Sequence, residues 1–187
     1  VIMNKALIVI DVQKAFEHEA WGERNNLQAE ENILRLVEKC RTQNQMIIFV
    51  QHTSMNPKSH FYIEGEGVKF KDHMKPIEKE MVIQKQVNSA FIGTDLEKIL
   101  HENKVDEVVI VGLTTPHCVS TTTRMSANLG FKTTLISDAT AAFELTDQNG
   151  ITYDAKTIHQ VSLATLHEEF AEVRTTEEWL GDKDNKR

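Results

Sequence analysis

Cys118 lies in the run Val108-Val109-Ile110-Val111-Gly112-Leu113-Thr114-Thr115-Pro116-His117-Cys118-Val119. An apolar strand stops at Gly112, a short polar turn follows, and a helical pattern runs from Cys118 to Gly130. This spacing puts a thiol at a helix N-terminus, at the carboxyl end of a buried strand. Unpaired N–H groups and the positive dipole end favour thiolate there and lower the cysteine pKa. The same N–H groups can hold an oxyanion. The competing reading is a small buried hydrophobe. Two more residues have types suited to acyl transfer. Asp11 ends the apolar run Ala6-Leu7-Ile8-Val9-Ile10, at the edge where α/β proteins keep their ligands. A loop or N-cap Asp is the ordinary alternative. Lys85 follows Met81-Val82-Ile83-Gln84 and, taken alone, reads as a solvated surface lysine. Taken together, the three types divide one reaction. A thiolate attacks a carbonyl, a carboxylate takes the thiol proton and returns it to a leaving amine, and an ammonium between them stabilises both anions.

These residues need elements that bring them together. The pattern alternates strand and helix, with strands near 5–10, 46–51, 81–84, 107–112, 132–137 and 170–174 and helices near 29–44, 94–103, 118–130, 154–167 and 175–180. Val108 to Val111 is continuously apolar, as in a parallel strand covered on both faces. Ile33, Leu34, Val37 and Cys40 stripe the first helix, and Leu96, Ile99 and Leu100 the second. Thr94 with Glu97 reads as a capping box, and Gly130 as a C-terminal stop. Repeated β-α-β units imply α/β architecture: three layers, α/β/α, around a mainly parallel six-stranded sheet. Asp11, Lys85 and Cys118 then all fall at carboxyl strand ends, on one edge.

The 187 residues suit a single domain spanning 1–187, with a core at about 5–174. The formal net charge is −7, which speaks against nucleic acid, since no basic stripe is available to neutralise phosphates. No apolar run reaches the roughly 18 residues of a membrane span, and no secretory signal pattern opens the chain. The two cysteines, Cys40 and Cys118, make no disulfide framework. Cys40 reads as a packed, inert thiol, and a reducing cytoplasm is the expected location. The segment 52–80 is a long polar loop, read as a lid or an oligomer contact. Its Phe61, Tyr62, Ile63, Val68 and Phe70 need a surface to cover them, in their own domain or a neighbouring subunit. Residues 181–187 read as a polar tail.

Three motifs occur in order: Asp11-Val12-Gln13, Lys85 with Ser89-Ala90-Phe91, and Gly112, Thr114 and Cys118-Val119. With Asp138-Ala139 after the next strand, the chain resembles the isochorismatase-like cysteine hydrolase superfamily from about Lys5 to Val173. That resemblance implies catalytic roles for Asp11, Lys85 and Cys118. It also implies a cis peptide at Leu113-Thr114 and an oxyanion hole from the backbone N–H groups of Thr114 and Cys118. Nicotinamidases of this superfamily hold a metal with an Asp-x-His pair after the second strand. Here His52 and Ser54 stand in those places, so no metal or other cofactor is expected, although His52, His60 and His73 keep that reading in view. Gln13, Phe16, Trp21 and His117 are the candidate substrate-binding residues, with Asn88 and Ser89 as further polar contacts. Core packing for Phe16 and a surface loop for His117 are the plain alternatives. The expected activity is hydrolysis of a C–N bond in a small amide, carbamoyl or ureido compound through a Cys118 thioester. The alternatives are vinyl-ether cleavage of the isochorismatase type and a non-enzymatic thiol sensor. The expected partners are a small-molecule substrate and, as in relatives, further copies of the chain in a homodimer or homotetramer.

Overall fold

The computed structural model describes residues 4–182. The sheet is built from β1 (Lys5–Ile10), β2 (Met46–His52), β3 (Met81–Lys85), β4 (Glu107–Leu113), β5 (Lys132–Ala141) and, after a short β6 (Leu145–Thr146) and β7 (Thr152–Tyr153) ribbon, β8 (Glu172–Arg174). Its order is β3-β2-β1-β4-β5-β8, and every pairing in it is parallel. The helices are α1 (Ala29–Thr42), α2 (Leu96–Glu102), α3 (Ser120–Asn128), α4 (Ala155–Leu166) and α5 (Thr176–Gly181). The expected three-layer α/β/α architecture is the one observed.

The side-chain period of two along a strand sorts the core into two halves. Ala6, Ile8, Ile10, Val108 and Ile110 face Leu96, Leu100, Met125 and Leu166, so α2, α3 and α4 cover one face. Leu7, Val9, Val109 and Val111 face Ile33, Leu36, Val37 and Trp179, so α1 and α5 cover the other. Between β1 and β4 the backbones approach so closely at Gly112 that a Cβ there would run into the Ile10 backbone. Gly112 also has φ +123°, a conformation that side-chain-bearing residues rarely adopt.

Three local expectations are modified and one holds. The strand expected over 132–137 continues to Ala141, because β5 breaks register after Ile110↔Leu135 and resumes at Gly112↔Thr140. Carbonyls in that break are satisfied by side chains: Asn26 Nδ2 donates to Ser137 and Thr140, and Asn32 Nδ2 to Asp138. The capping box does not form. α2 begins after Asp95, and Thr94 Oγ1 accepts from the Leu96 N–H while donating to the Ala90 carbonyl. Gly130 does stop α3: its N–H reaches the Ala127 carbonyl and that of Phe131 reaches Ser126, the paired bonds of a Schellman motif. In the expected tail, Gly181 closes α5 and Asp182 pairs with Arg174 at 3.0 Å; the rest of it lies outside the described residues.

The long loop packs on its own domain. Phe61 sits edge-on to Phe16 at 5.2 Å, Phe70 edge-on to Phe49 at 5.9 Å, and Val68 and Met74 are buried. Phe61, Val68, Phe70 and Met74 therefore find cover within this chain, while Met55 and Ile77 stay exposed. No helix among the described residues is long and apolar enough to cross a membrane.

Candidate active site

Asp11, Lys85 and Cys118 meet at the carboxyl edge of the sheet, although they come from three separate strand ends. Asp11 follows β1 with φ +53°, a left-handed conformation that Asp tolerates better than most residues. Its N–H is held by the Val50 carbonyl at 3.0 Å. Lys85 is the last residue of β3, paired in register with His52 at the end of β2. Cys118 lies in a π-helical turn, Thr115–Val119, that feeds α3. Cys118 thus precedes the regular helix expected to begin at it. Pro116 sits in the first turn, where its missing N–H costs no hydrogen bond.

Lys85 Nζ is the hub. It lies 3.0 Å from Asp11 Oδ2, 3.2 Å from Cys118 Sγ, 3.1 Å from the Val87 carbonyl and 2.7 Å from His52 Nδ1. The contact with Asp11 is an ion pair rather than an aligned hydrogen bond, and neither Asp11 oxygen accepts a hydrogen bond from a described residue. Ligand atoms of Asp11, His52 and Cys118 all lie within 4.8 Å of one another. Asn88 Nδ2 adds a weaker contact to Cys118 Sγ at 3.7 Å.

The electrostatics correct the simple picture of a helix-activated thiolate. Burial, reinforced by the negative charge of Asp11 and opposed by Lys85, pushes the Cys118 thiol up to about 12. Burial also raises the Asp11 carboxyl, against the pull of Lys85. One ammonium faces two acids in a dry site, and ionising both would leave an uncompensated buried negative charge. One proton therefore stays with the Asp11–Cys118 pair. A raised Asp11 is a better match for that proton than a normal carboxylate, so the transfer that frees the sulfur is less uphill. His52 is pushed down to about 4 by burial and by Lys85, so its neutral Nδ1 accepts from the ammonium.

The types Asp, His and Cys could ligate a metal, but their centre is filled by the Lys85 ammonium, to which His52 Nδ1 is already committed. Ser54 Oγ accepts from the Asn56 N–H. His60 packs at a tilt against His18 with ring centroids 4.5 Å apart, and His73 belongs to a different surface hollow with Asp72 and Met74. The residues present do not fit the metal site of the nicotinamidase type.

The triad opens on a cavity of about 380 Å³ lined by Asp11, Cys118, His52, Asn88, Thr114, Pro116, His117, Phe16, Trp21, Phe61, Phe143, Glu144 and Thr146, among others. Phe16, Trp21 and His117 therefore stand where the sequence suggested. Gln13 does not. It is fully buried, its Nε2 donates to the His52 and Val68 carbonyls, and its Oε1 accepts from the His52 N–H. It ties β2 and the long loop to β1 rather than facing a ligand. Ser89 is likewise buried, its Oγ accepting from the Phe91 N–H. The Leu113–Thr114 peptide is cis. Thr114 Oγ1 meets His117 Nδ1 at 3.2 Å. Sequence reasoning missed Phe61, Phe143, Glu144 and His159. His159 holds the Thr115–Val119 turn from α4, with Nδ1 2.7 Å from Thr115 Oγ1 and Nε2 3.0 Å from the Ser137 carbonyl. Phe143 and Glu144 lie just beyond the carboxyl end of β5, a position that the strand-end rule marks.

A profile of the isochorismatase domain matches residues 5–178. The chain belongs to the isochorismatase family. It is a hydrolase of that family. The isochorismatase family protein YrdC of Bacillus subtilis is 58% identical over 96% of this chain and 96% of its own. Nicotinamidase 3 of Arabidopsis thaliana is 29% identical, over 74% of this chain and 73% of its own. Among solved structures, an isochorismatase-family protein of Chromobacterium violaceum superposes with a TM-score of 0.92 at 36% identity, covering 97% of this chain and 93% of its own.

Proposed function

We propose that this hydrolase cleaves a C–N bond of a small amide, carbamoyl or ureido compound through a thioester at Cys118. The observation that carries this reading is one ammonium, Lys85 Nζ, within 3.0 Å of a carboxylate oxygen and 3.2 Å of a thiol. In the first half-reaction Asp11 takes the Cys118 proton as sulfur attacks the carbonyl carbon. Lys85 holds the charge of the departing proton's origin, and the Thr114 and Cys118 N–H groups serve the oxyanion. Asp11 then gives the proton to the leaving nitrogen, the C–N bond breaks, and the amine departs. In the second, Asp11 takes a proton from water, which attacks the thioester. The acid leaves and Cys118 recovers its proton.

Two features weigh against the alternatives. A thiol raised to about 12 is poorly suited to redox sensing, which favours thiolates. Vinyl-ether cleavage of isochorismate, a dicarboxylate, calls for cations at the substrate, and among the described residues no Arg or Lys lines the cavity. The reaction is read as needing no metal, because Lys85 Nζ sits against Asp11, His52 and Cys118, the described residues whose types could together ligate one.

The test is a panel of small amides, carbamoyl compounds and isochorismate, assayed with the wild type, with Cys118→Ala, and after exhaustive chelation. Amide turnover that survives chelation and disappears in Cys118→Ala is expected. Near-normal turnover by Cys118→Ala would defeat the thioester. A chelator-dependent loss restored by zinc or iron would defeat the metal-free reading.

A further inference from the structure

Charge and aromatic character are unevenly distributed around the cavity. Its two acidic lining residues are Asp11 and, just past β5, Glu144; among the described residues its lining includes no Arg or Lys. The two lining imidazoles, His52 and His117, are both held below their ordinary pKa by burial. The cation beneath, Lys85, has a side chain that is 0% exposed and is committed to Asp11, Cys118, His52 and Val87. Nothing is left over to neutralise a carboxylate on a substrate.

The opposite charge is provided for. Phe16, Trp21, Phe61 and Phe143 form one aromatic cluster in the lining, with ring centroids 5.1 Å apart for Phe16–Trp21, 5.2 Å for Phe16–Phe61 and 5.9 Å for Trp21–Phe143. Trp21 Nε1 is spent on the Ala15 carbonyl at 2.8 Å, so this ring offers carbon and π surface rather than a donor. Glu144 lines the same cavity. Its N–H donates to the Glu23 carbonyl and its Oε1 accepts from the Glu23 N–H. Gly22, beside Trp21, has φ +82°, and a Cβ there would run into the Glu144 carboxylate. The missing side chain makes room for the acid. Glu144 Oε2 has no partner among the described residues. Aromatic rings with an adjacent carboxylate recognise organic cations.

Resting on the hydrolase reading above, we propose that the substrate is an amide bearing a positively charged group, recognised by Glu144 and the aromatic cluster, and that carboxylate-bearing amides are rejected. This deepens the reading from a bond type to a substrate class.

The test measures binding without turnover. Cys118→Ser protein is titrated calorimetrically with three amides of similar size: 4-(aminomethyl)benzamide, benzamide and 4-carbamoylbenzoate, which are cationic, neutral and anionic at neutral pH. The cation should bind tighter than the anion by about tenfold or more, the ratio that a difference of about 1.4 kcal/mol gives, with benzamide between them. Glu144→Gln, added to the same protein, keeps an acceptor for the Glu23 N–H and should collapse that ratio at least severalfold. Equal or tighter binding of the anion, a ratio unchanged by Glu144→Gln, or no binding of any of the three up to millimolar concentration would overturn the proposal. Because the thiol is replaced by a hydroxyl and only binding is read, the result stands apart from the thioester chemistry. A cavity that selects the cation in a protein that hydrolyses no amide defeats the proposed reaction and leaves the cation preference intact.

Discussion

Lys85→Met removes one charge and keeps most of the side-chain volume. Lys85 Nζ lies 3.0 Å from Asp11 Oδ2 and 3.2 Å from Cys118 Sγ, and its side chain is 0% exposed. At an effective dielectric of about 20, a charge pair at that separation is worth about 5 kcal/mol. Removing one partner of a buried pair typically costs about 3–5 kcal/mol when the other charge must remain. Asp11 has a way out. Its carboxyl is already raised by burial, and loss of the ammonium raises it further, so it takes up a proton and becomes neutral. The stability loss is thereby blunted, while the base is silenced and the developing thiolate loses its counter-charge. At about 1.36 kcal/mol per tenfold in rate, a loss of about 4–5 kcal/mol in the transition state is about 10³-fold in kcat/KM. The assay pairs kcat/KM on an amide that the wild type turns over with urea unfolding and with the rate of Cys118 alkylation by iodoacetamide. A folded variant, slowed about a thousandfold in turnover and slower in alkylation, is expected. A folded variant within tenfold of wild-type turnover would refute the assignment of Lys85 as the electrostatic centre.

Two other predictions concern the thiol and the sheet. Because Cys118 is pushed up to about 12, it stays protonated through neutral pH, and its alkylation rate should climb steadily from pH 7 to pH 10; a plateau near pH 7 would mean a preformed thiolate. Gly112→Ala places a Cβ against the Ile10 backbone at φ +123° and should destabilise the fold by more than about 2 kcal/mol, measured by urea unfolding, because strain and overpacking add; an alanine variant within 0.5 kcal/mol of wild type, about the size of an ordinary surface change, would contradict the close approach.

Much of the frame is legible in the sequence because it rests on periodicity. Alternation along β1 and β4 sends Ile8 and Ile110 to one helix layer and Val9 and Val111 to the other, and strand ends deliver Asp11, Lys85 and Cys118 to one edge. What stays hidden depends on three-dimensional partners. Gln13 looks like a pocket residue from its place beside Asp11, yet three backbone groups claim it. His52 looks like a displaced metal ligand until its register with Lys85 makes it an acceptor for the ammonium. The helix-terminus argument lowers the Cys118 pKa, and burial beside Asp11 outweighs it. Glu144 is marked in the sequence only by its place just past β5; the room made for its carboxylate comes from Gly22, more than a hundred residues away.

The central claim is a covalent intermediate on Cys118. The direct measurement is mass spectrometry of protein quenched in acid during steady-state hydrolysis of the amide it turns over fastest, followed by mapping of the modified peptide. The account predicts a mass increase equal to the substrate's acyl group, located on Cys118 and released by hydroxylamine, with none in Cys118→Ala. Continued turnover by Cys118→Ala, or rapid turnover by the wild type with no acyl group on Cys118 under conditions where thioester breakdown is rate-limiting, would contradict it.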